Sequence, residues 1–145
     1  MRVVLQRVSK AECVVNNELT GKIDKGYLLF VGFTDGDDET TIEKSAKKIS
    51  KLRVFEDENG KMNLDIYEVK GSILSISQFT LYANTEKGNR PSFVEALNPV
   101  EAEKLYSKFN QKLRELNLRV EEGIFGEHMD IKLINDGPVT IIFEF

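Results

Sequence analysis

The stretch Tyr27–Phe33 (Tyr-Leu-Leu-Phe-Val-Gly-Phe) constrains the fold more than any other part of the chain. A strand made of it has no face to offer water, and its length suits a strand better than a helix. It predicts a central strand covered on both sides. Such a strand needs two apolar layers around it, and 145 residues can supply them within one domain, 1–145. A chain of this size buries roughly 68–70% of its unfolded surface, so it needs no disulfide or metal to fold. No apolar run approaches the ~18 residues of a membrane span. Arg2 and Gln6-Arg7 make the N-terminus polar too early for a signal peptide. Cys13 is the only cysteine, which excludes an internal disulfide and suggests a reducing cytoplasm.

Around the central run the pattern is mostly strand. Val3–Val8 alternates, with Val3, Leu5 and Arg7 on one face, and Glu12–Asn16 reads as a second strand ending in a turn at Asn16-Asn17. Asp35-Gly36-Asp37-Asp38 opens a helix of about four turns on which Ile42, Ala46, Ile49 and Arg53 recur. Arg53–Phe55 is a short strand, Asp57–Gly60 a turn, and Ser72–Phe79 another strand. Asn98-Pro99-Val100-Glu101 carries a cap, a first-turn proline and a capping-box acid, and leads a helix with an apolar stripe of Ala102, Leu105, Tyr106, Phe109, Leu113 and Leu116. Ile131–Ile134 and Val139–Phe145 are the last two strands, joined by Asn135–Pro138. The expected class is α+β: an antiparallel, barrel-like sheet core with two main helices packed outside.

Composition narrows the chemistry. Structural zinc sites usually take four Cys or His ligands, and Cys13 and His128 are the only two here. Any serine- or cysteine-histidine site has to be built on His128. A net charge of −4 argues against a general nucleic-acid coat but allows a local basic patch.

Four segments combine chemistry-bearing residues. Ser77-Gln78-Phe79-Thr80-Leu81 places hydroxyls and an amide at a strand end. By periodicity alone it is an amphipathic strand terminus, and a threonine nucleophile would need a base that is absent nearby. Asn135–Thr140 has ordinary turn residues, although a cis Gly137-Pro138 bond would aim two rigid backbone carbonyls as a trans bond cannot. Lys87–Phe93 is a polar loop with two cations that can hold phosphate. Lys44, Lys47, Lys48 and Lys51 share the exposed face of the first helix, which suits solvation or an RNA backbone.

Taken together and in order, Gln6-Arg7-Val8, Leu52–Asp57, Gly60–Asn63, Ser77–Leu81, Lys87–Phe93 and Asn135–Thr140 resemble the D-aminoacyl-tRNA deacylase family. The pairing of Ser-Gln-Phe-Thr-Leu with Asn-Asp-Gly-Pro-Val-Thr is the specific part. The resemblance implies an enzyme that cleaves the ester joining a D-amino acid to the terminal adenosine of tRNA, and that also removes glycine from mischarged alanine tRNA. It implies a homodimer with shared active sites, acting on the aminoacyl-tRNA acceptor end without metal or cofactor, in the cytoplasm and away from membranes. Ser77, Gln78, Phe79 and Thr80 would form the catalytic wall of one subunit. Gly137 and Pro138 would enter from the other, with Arg7 bracing them and Met129 as a further wall. Lys44, Lys48, Lys87 and Arg90 would hold the RNA.

Two positions depart from the family pattern. Glu127, followed by His128, stands where the family usually has a small residue, and the family usually has a small hydroxyl residue near Asp65. Two other readings compete with the enzyme: a non-catalytic RNA-end binding module on the same fold, and a general esterase indifferent to RNA.

Overall fold

In the computed structural model, which describes residues 1–145, the N-terminal alternation runs unbroken through Arg2–Val15 as strand β1. The strands expected at Val3–Val8 and Glu12–Asn16 are therefore one, because Ser9 and Lys10 stay in the strand as exposed residues instead of turning. The turn at Asn16 and Asn17, both at positive φ (50° and 66°), leads to a strand missed in the sequence, β2 (Glu18–Ile23). There follow β3 (Gly26–Gly32), α1 (Glu39–Ser50), β4 (Phe55–Glu56), β5 (Met62–Leu64), β6 (Ser72–Ser77), α2 (Pro99–Glu115), β7 (Val120–Glu122) and β8 (Asp130–Glu144).

β1 organises the sheet. One edge pairs antiparallel with β8 from Arg2↔Glu144 to Val14↔Asp130. The other edge pairs with β3 over Arg2–Val8 and with β2 over Ala11–Val15. β3 then pairs with β6, and β6 with β7, both in parallel. The α+β, barrel-like core with two outer helices is as expected, but the sheet is mixed. Parallel neighbours need a crossover, and α1 lies between β3 and β6 as α2 lies between β6 and β7. β2 folds back onto the far strands: a Cβ at Gly21 would lie 2.8 Å from the Glu122 carbonyl oxygen, so only glycine permits that approach.

Tyr27, Leu29 and Val31 of β3 enter the main core beneath the helices, with Ile42, Ala46 and Ile49 of α1 and Tyr106, Phe109 and Leu113 of α2. Leu28 enters a second core with Val8, Cys13, Leu74 and Ile76. The central run is thus covered on both sides, and Cys13 packs as a small apolar residue. α1 is capped by Asp38, whose carboxylate accepts from Thr41 N at 2.9 Å, and ends at Ser50 before the Arg53 expected on it. On α2, Asn98 Oδ1 accepts from Glu101 N at 3.1 Å and Pro99 occupies the first turn. Asn98→Ala is expected to lower stability by about 1 kcal/mol, read as a shifted urea midpoint at constant slope.

Candidate active site

The site is built where β6 ends. Gln78 N donates to the Val31 carbonyl at 2.8 Å, the last bond between the β6 segment and β3, and the chain then winds into a 3-10 turn over Phe79–Tyr82. Thr80 therefore sits on that turn, not on a strand face as the alternation suggested. Gln78 Nε2 donates to Thr80 Oγ1 at 2.6 Å. An amide nitrogen is no base, so this contact orients the hydroxyl without activating it. The turn is pinned from behind. Arg2 donates to the Leu81 carbonyl at 2.6 Å, and its guanidinium lies 4.8 Å from the centre of the buried Tyr82 ring.

Ser77, Gln78 and Phe79 face a pocket of about 580 Å³. Its other walls come from the end of β3, from Phe93–Pro99 leading into α2, and from Phe125–Met129 before β8. Thr80 is exposed just past the lip. Phe79 and Phe93 meet edge to face at 5.0 Å, brought together by a bridge between Asn84 and Ser92 that closes the intervening loop. Lys87 and Arg90 are exposed on that loop. Met129 lines the pocket close to Gly123, where a Cβ would lie 2.4 Å from its sulfur. Phe93 ends one of the candidate segments, Lys87–Phe93, but the Ala96–Pro99 wall and the close approach at Gly123 went unread in the sequence. A glycine beside an acidic pair was the only signal for the latter.

The remaining expected site residues lie apart from this pocket. Lys44 and Lys48 are exposed on α1, which does not border it. Arg7, Gly137 and Pro138 do not line it either. The segment expected to turn between two final strands is instead a bulge within β8: Thr140 pairs with Gln6 and Asn135 with Val8, so four residues, Asp136–Val139, stand opposite Arg7 alone. The Gly137-Pro138 bond is cis. Asn135 closes the bulge, its Oδ1 accepting from Val139 N at 2.8 Å and its Nδ2 donating to Thr140 Oγ1 at 3.0 Å. Arg7 is 3% exposed; its Nε donates to the Asp136 carbonyl at 2.8 Å and an Nη to the Val54 carbonyl at 2.7 Å, with Asp136 and Glu56 carboxylates at 3.4 and 3.5 Å. These charge-assisted bonds tie the bulge to the sheet.

Burial, with a smaller contribution from the nearby Asp37 carboxylate, raises the Tyr82 phenol to about 12. Burial likewise raises Tyr106, whose hydroxyl donates to the Ser75 carbonyl, to about 12. Unfolded tyrosines ionise near pH 10. Above that pH the unfolded state gives up protons that the folded state still holds. The stability these two groups contribute is complete below pH 10 and is lost progressively up to about pH 12. The urea midpoint should fall across that interval, with tyrosinate absorbance rising as the chain unfolds.

A mixed, nearly closed sheet with two outer helices and a hydroxyl–amide pocket at the end of a parallel strand is an architecture seen before. The chain matches a solved structure described as a probable eukaryotic D-amino acid tRNA deacylase with a TM-score of 0.81, over 98% of this chain and 97% of that one. At 19% identity this is a likeness of fold. A c-Myc DNA unwinding element binding protein matches with a TM-score of 0.93 at 38% identity, over 100% and 99% of the two chains. In sequence, the D-Tyr-tRNA(Tyr) deacylase family profile covers residues 4–144. D-aminoacyl-tRNA deacylases of Lactobacillus gasseri and Brevibacillus brevis are each 54% identical over 144 residues, covering 99% of this chain and of theirs. That of Bifidobacterium animalis subsp. lactis is 55% identical over 153 residues, covering 99% and 96%. The chain belongs to the D-Tyr-tRNA(Tyr) deacylase family.

Proposed function

We propose that this D-aminoacyl-tRNA deacylase cleaves the ester between a D-amino acid and the terminal adenosine of tRNA, and clears glycine from mischarged alanine tRNA by the same route. Its working form is a homodimer in which Gly137 and Pro138 of one subunit complete the pocket of the other. The observation that carries this reading is the separation within one chain: Ser77–Phe79 line the pocket, whereas Gly137, Pro138 and Arg7 stand outside it. A second copy reunites them. β8 also has no partner on its outer edge, and Ile134 and Ile142 on it are 50% and 67% exposed. A long unpaired edge is a template for another chain.

In the reaction, water adds to the ester carbonyl carbon. The carbon–oxygen bond to the ribose then breaks, and a proton passes to the departing ribose oxygen. The first backbone bond of the 3-10 turn runs from Leu81 N to the Gln78 carbonyl. The N–H groups of Phe79 and Thr80 precede it and have no acceptor within the turn. Those two donors suit the developing oxyanion. Thr80, held by Gln78, orients the water, and the neighbouring ribose hydroxyl relays the proton. Lys44, Lys48, Lys87 and Arg90 supply salt-sensitive contacts to the acceptor end.

Single-turnover assays with D-Tyr-tRNA test this. Free D-tyrosine should appear, and Thr80→Ala should slow its release about 10- to 100-fold without abolishing it, the range of a lost positioning contact. Binding of D-Tyr-tRNA without any release would establish the RNA-end binding module instead. Complete loss in Thr80→Ala would make the hydroxyl the nucleophile.

A further inference from the structure

Of the residues lining the pocket, Glu127 is the only carboxylic acid, and none is a lysine or arginine. It ends a tight turn in which Gly126 takes φ 79° and Glu127 N donates to the Ile124 carbonyl at 3.3 Å. The side chain is exposed at the rim, and no cation or hydrogen-bond donor of this chain engages its carboxylate. His128 lines the same rim, with its Nε2 3.6 Å from Asp130 Oδ1. Asp130 is not among the residues lining the pocket, so Glu127 is the one carboxylate on this side of the mouth. β6 lies between β3 and β7; Phe125–Met129 follows β7, whereas the Phe93–Pro99 wall is tied to the β3 side, where Leu97 N donates to the Phe33 carbonyl at 3.0 Å. On that other side the rim is apolar, with Phe93 against Phe79, and the loop leading to Phe93 carries Lys87 and Arg90.

The substrate branches at its ester, with a polyanion on one side and an amino acid on the other. RNA phosphates are repelled by a carboxylate at the Glu127 rim and tolerated on the Phe93 side, which favours a nucleotide end that leaves past Phe79 and Phe93. The amino-acid side chain then faces Glu127. We propose that Glu127 sorts substrates by the charge of the D side chain, favouring cationic over anionic ones. The inference rests on the D-aminoacyl ester reading above. An exposed carboxylate roughly 4–6 Å from a unit charge changes its affinity a few-fold in either direction after salt screening, so the combined preference is about tenfold.

The experiment compares kcat/KM for D-Lys-, D-Asp- and D-Tyr-tRNA, all on one tRNA body, with the unaltered protein, Glu127→Gln and Glu127→Lys. Circular dichroism checks that both variants fold, as an exposed residue without side-chain partners allows. The D-Lys to D-Asp ratio should be about 10 in the unaltered protein, fall to about 1 in Glu127→Gln and invert in Glu127→Lys, as removal and reversal of one screened charge require. The same ratio in all three proteins, with D-Tyr-tRNA cleaved, overturns the charge selection alone. No cleavage of D-Tyr-tRNA overturns the deacylase reading and the charge selection with it.

Discussion

D-Tyr-tRNA is expected to lose its amino acid at least ~100-fold faster than L-Tyr-tRNA in single-turnover assays, a difference of about 2.7 kcal/mol at the transition state. The two esters carry the same groups, so apolar burial and hydrogen-bond count cannot separate them. Discrimination has to come from a clash against one hand. A side chain can rotate out of such a clash, whereas backbone held on both sides cannot. The Asp136–Val139 bulge has that quality: Arg7 holds its first carbonyl, Asn135 closes its base, and Gly137 at φ 141° leaves the backbone bare. Glycine lacks a side chain to clash, so Gly-tRNA should follow the D ester. Equal cleavage of D- and L-Tyr-tRNA would remove the filter and leave a general esterase.

Two inactive variants should restore each other when mixed. Ala96→Trp puts an indole into the 580 Å³ pocket and leaves the bulge intact. Gly137→Ala spoils the bulge and leaves the pocket intact: its Cβ would lie 2.8 Å from a Val139 methyl, 2.9 Å from Val139 N and 3.2 Å from Arg7, at a φ that L side chains rarely adopt. A displacement of about 1 Å at a positioning element costs roughly 100-fold. If the site is shared between two copies as proposed, each pure variant dimer therefore has two defective sites. A mixed dimer pairs the good pocket of one chain with the good bulge of the other. For a two-fold dimer refolded from equal amounts, half the dimers are mixed and each has one intact site, giving about a quarter of the unaltered activity. Activity no higher than the sum of the separate variants would place the whole site within one chain.

Much of this architecture was legible in the residues, and the misreadings have a common cause. Tyr27–Phe33 reads as central because its apolar character is continuous, and the α2 cap reads correctly because Asn98, Pro99 and Glu101 act locally. Strand ends are harder. Ser9-Lys10 and Asn135–Pro138 resemble breaks in sequence, yet β1 and β8 bridge both by pairing with each other, since tertiary pairing overrides local preference. Parallel pairing of β3 with β6 was implicit in the strand–helix–strand order. The pocket is the least legible part. Ser77–Phe79 show their chemistry, but Phe93, Ala96 and Met129 join them only through long-range packing. Glu127 and His128 stood out as unusual residues, while their place at the pocket mouth depended on the fold.

The pairing of β1 with β8 also sets when the molecule can form. Arg2 lies opposite Glu144 and Val3 opposite Phe143, so one edge of the strand at the heart of the sheet waits for residues far downstream in the chain. While the ribosome is still at work, β1 offers one whole edge, apolar and unpaired, to any passing chain. Closure of such distant segments is slow compared with local helix formation. The nascent protein is thus most vulnerable to aggregation in the interval before β8 emerges, and a holding chaperone would be of most use at that stage.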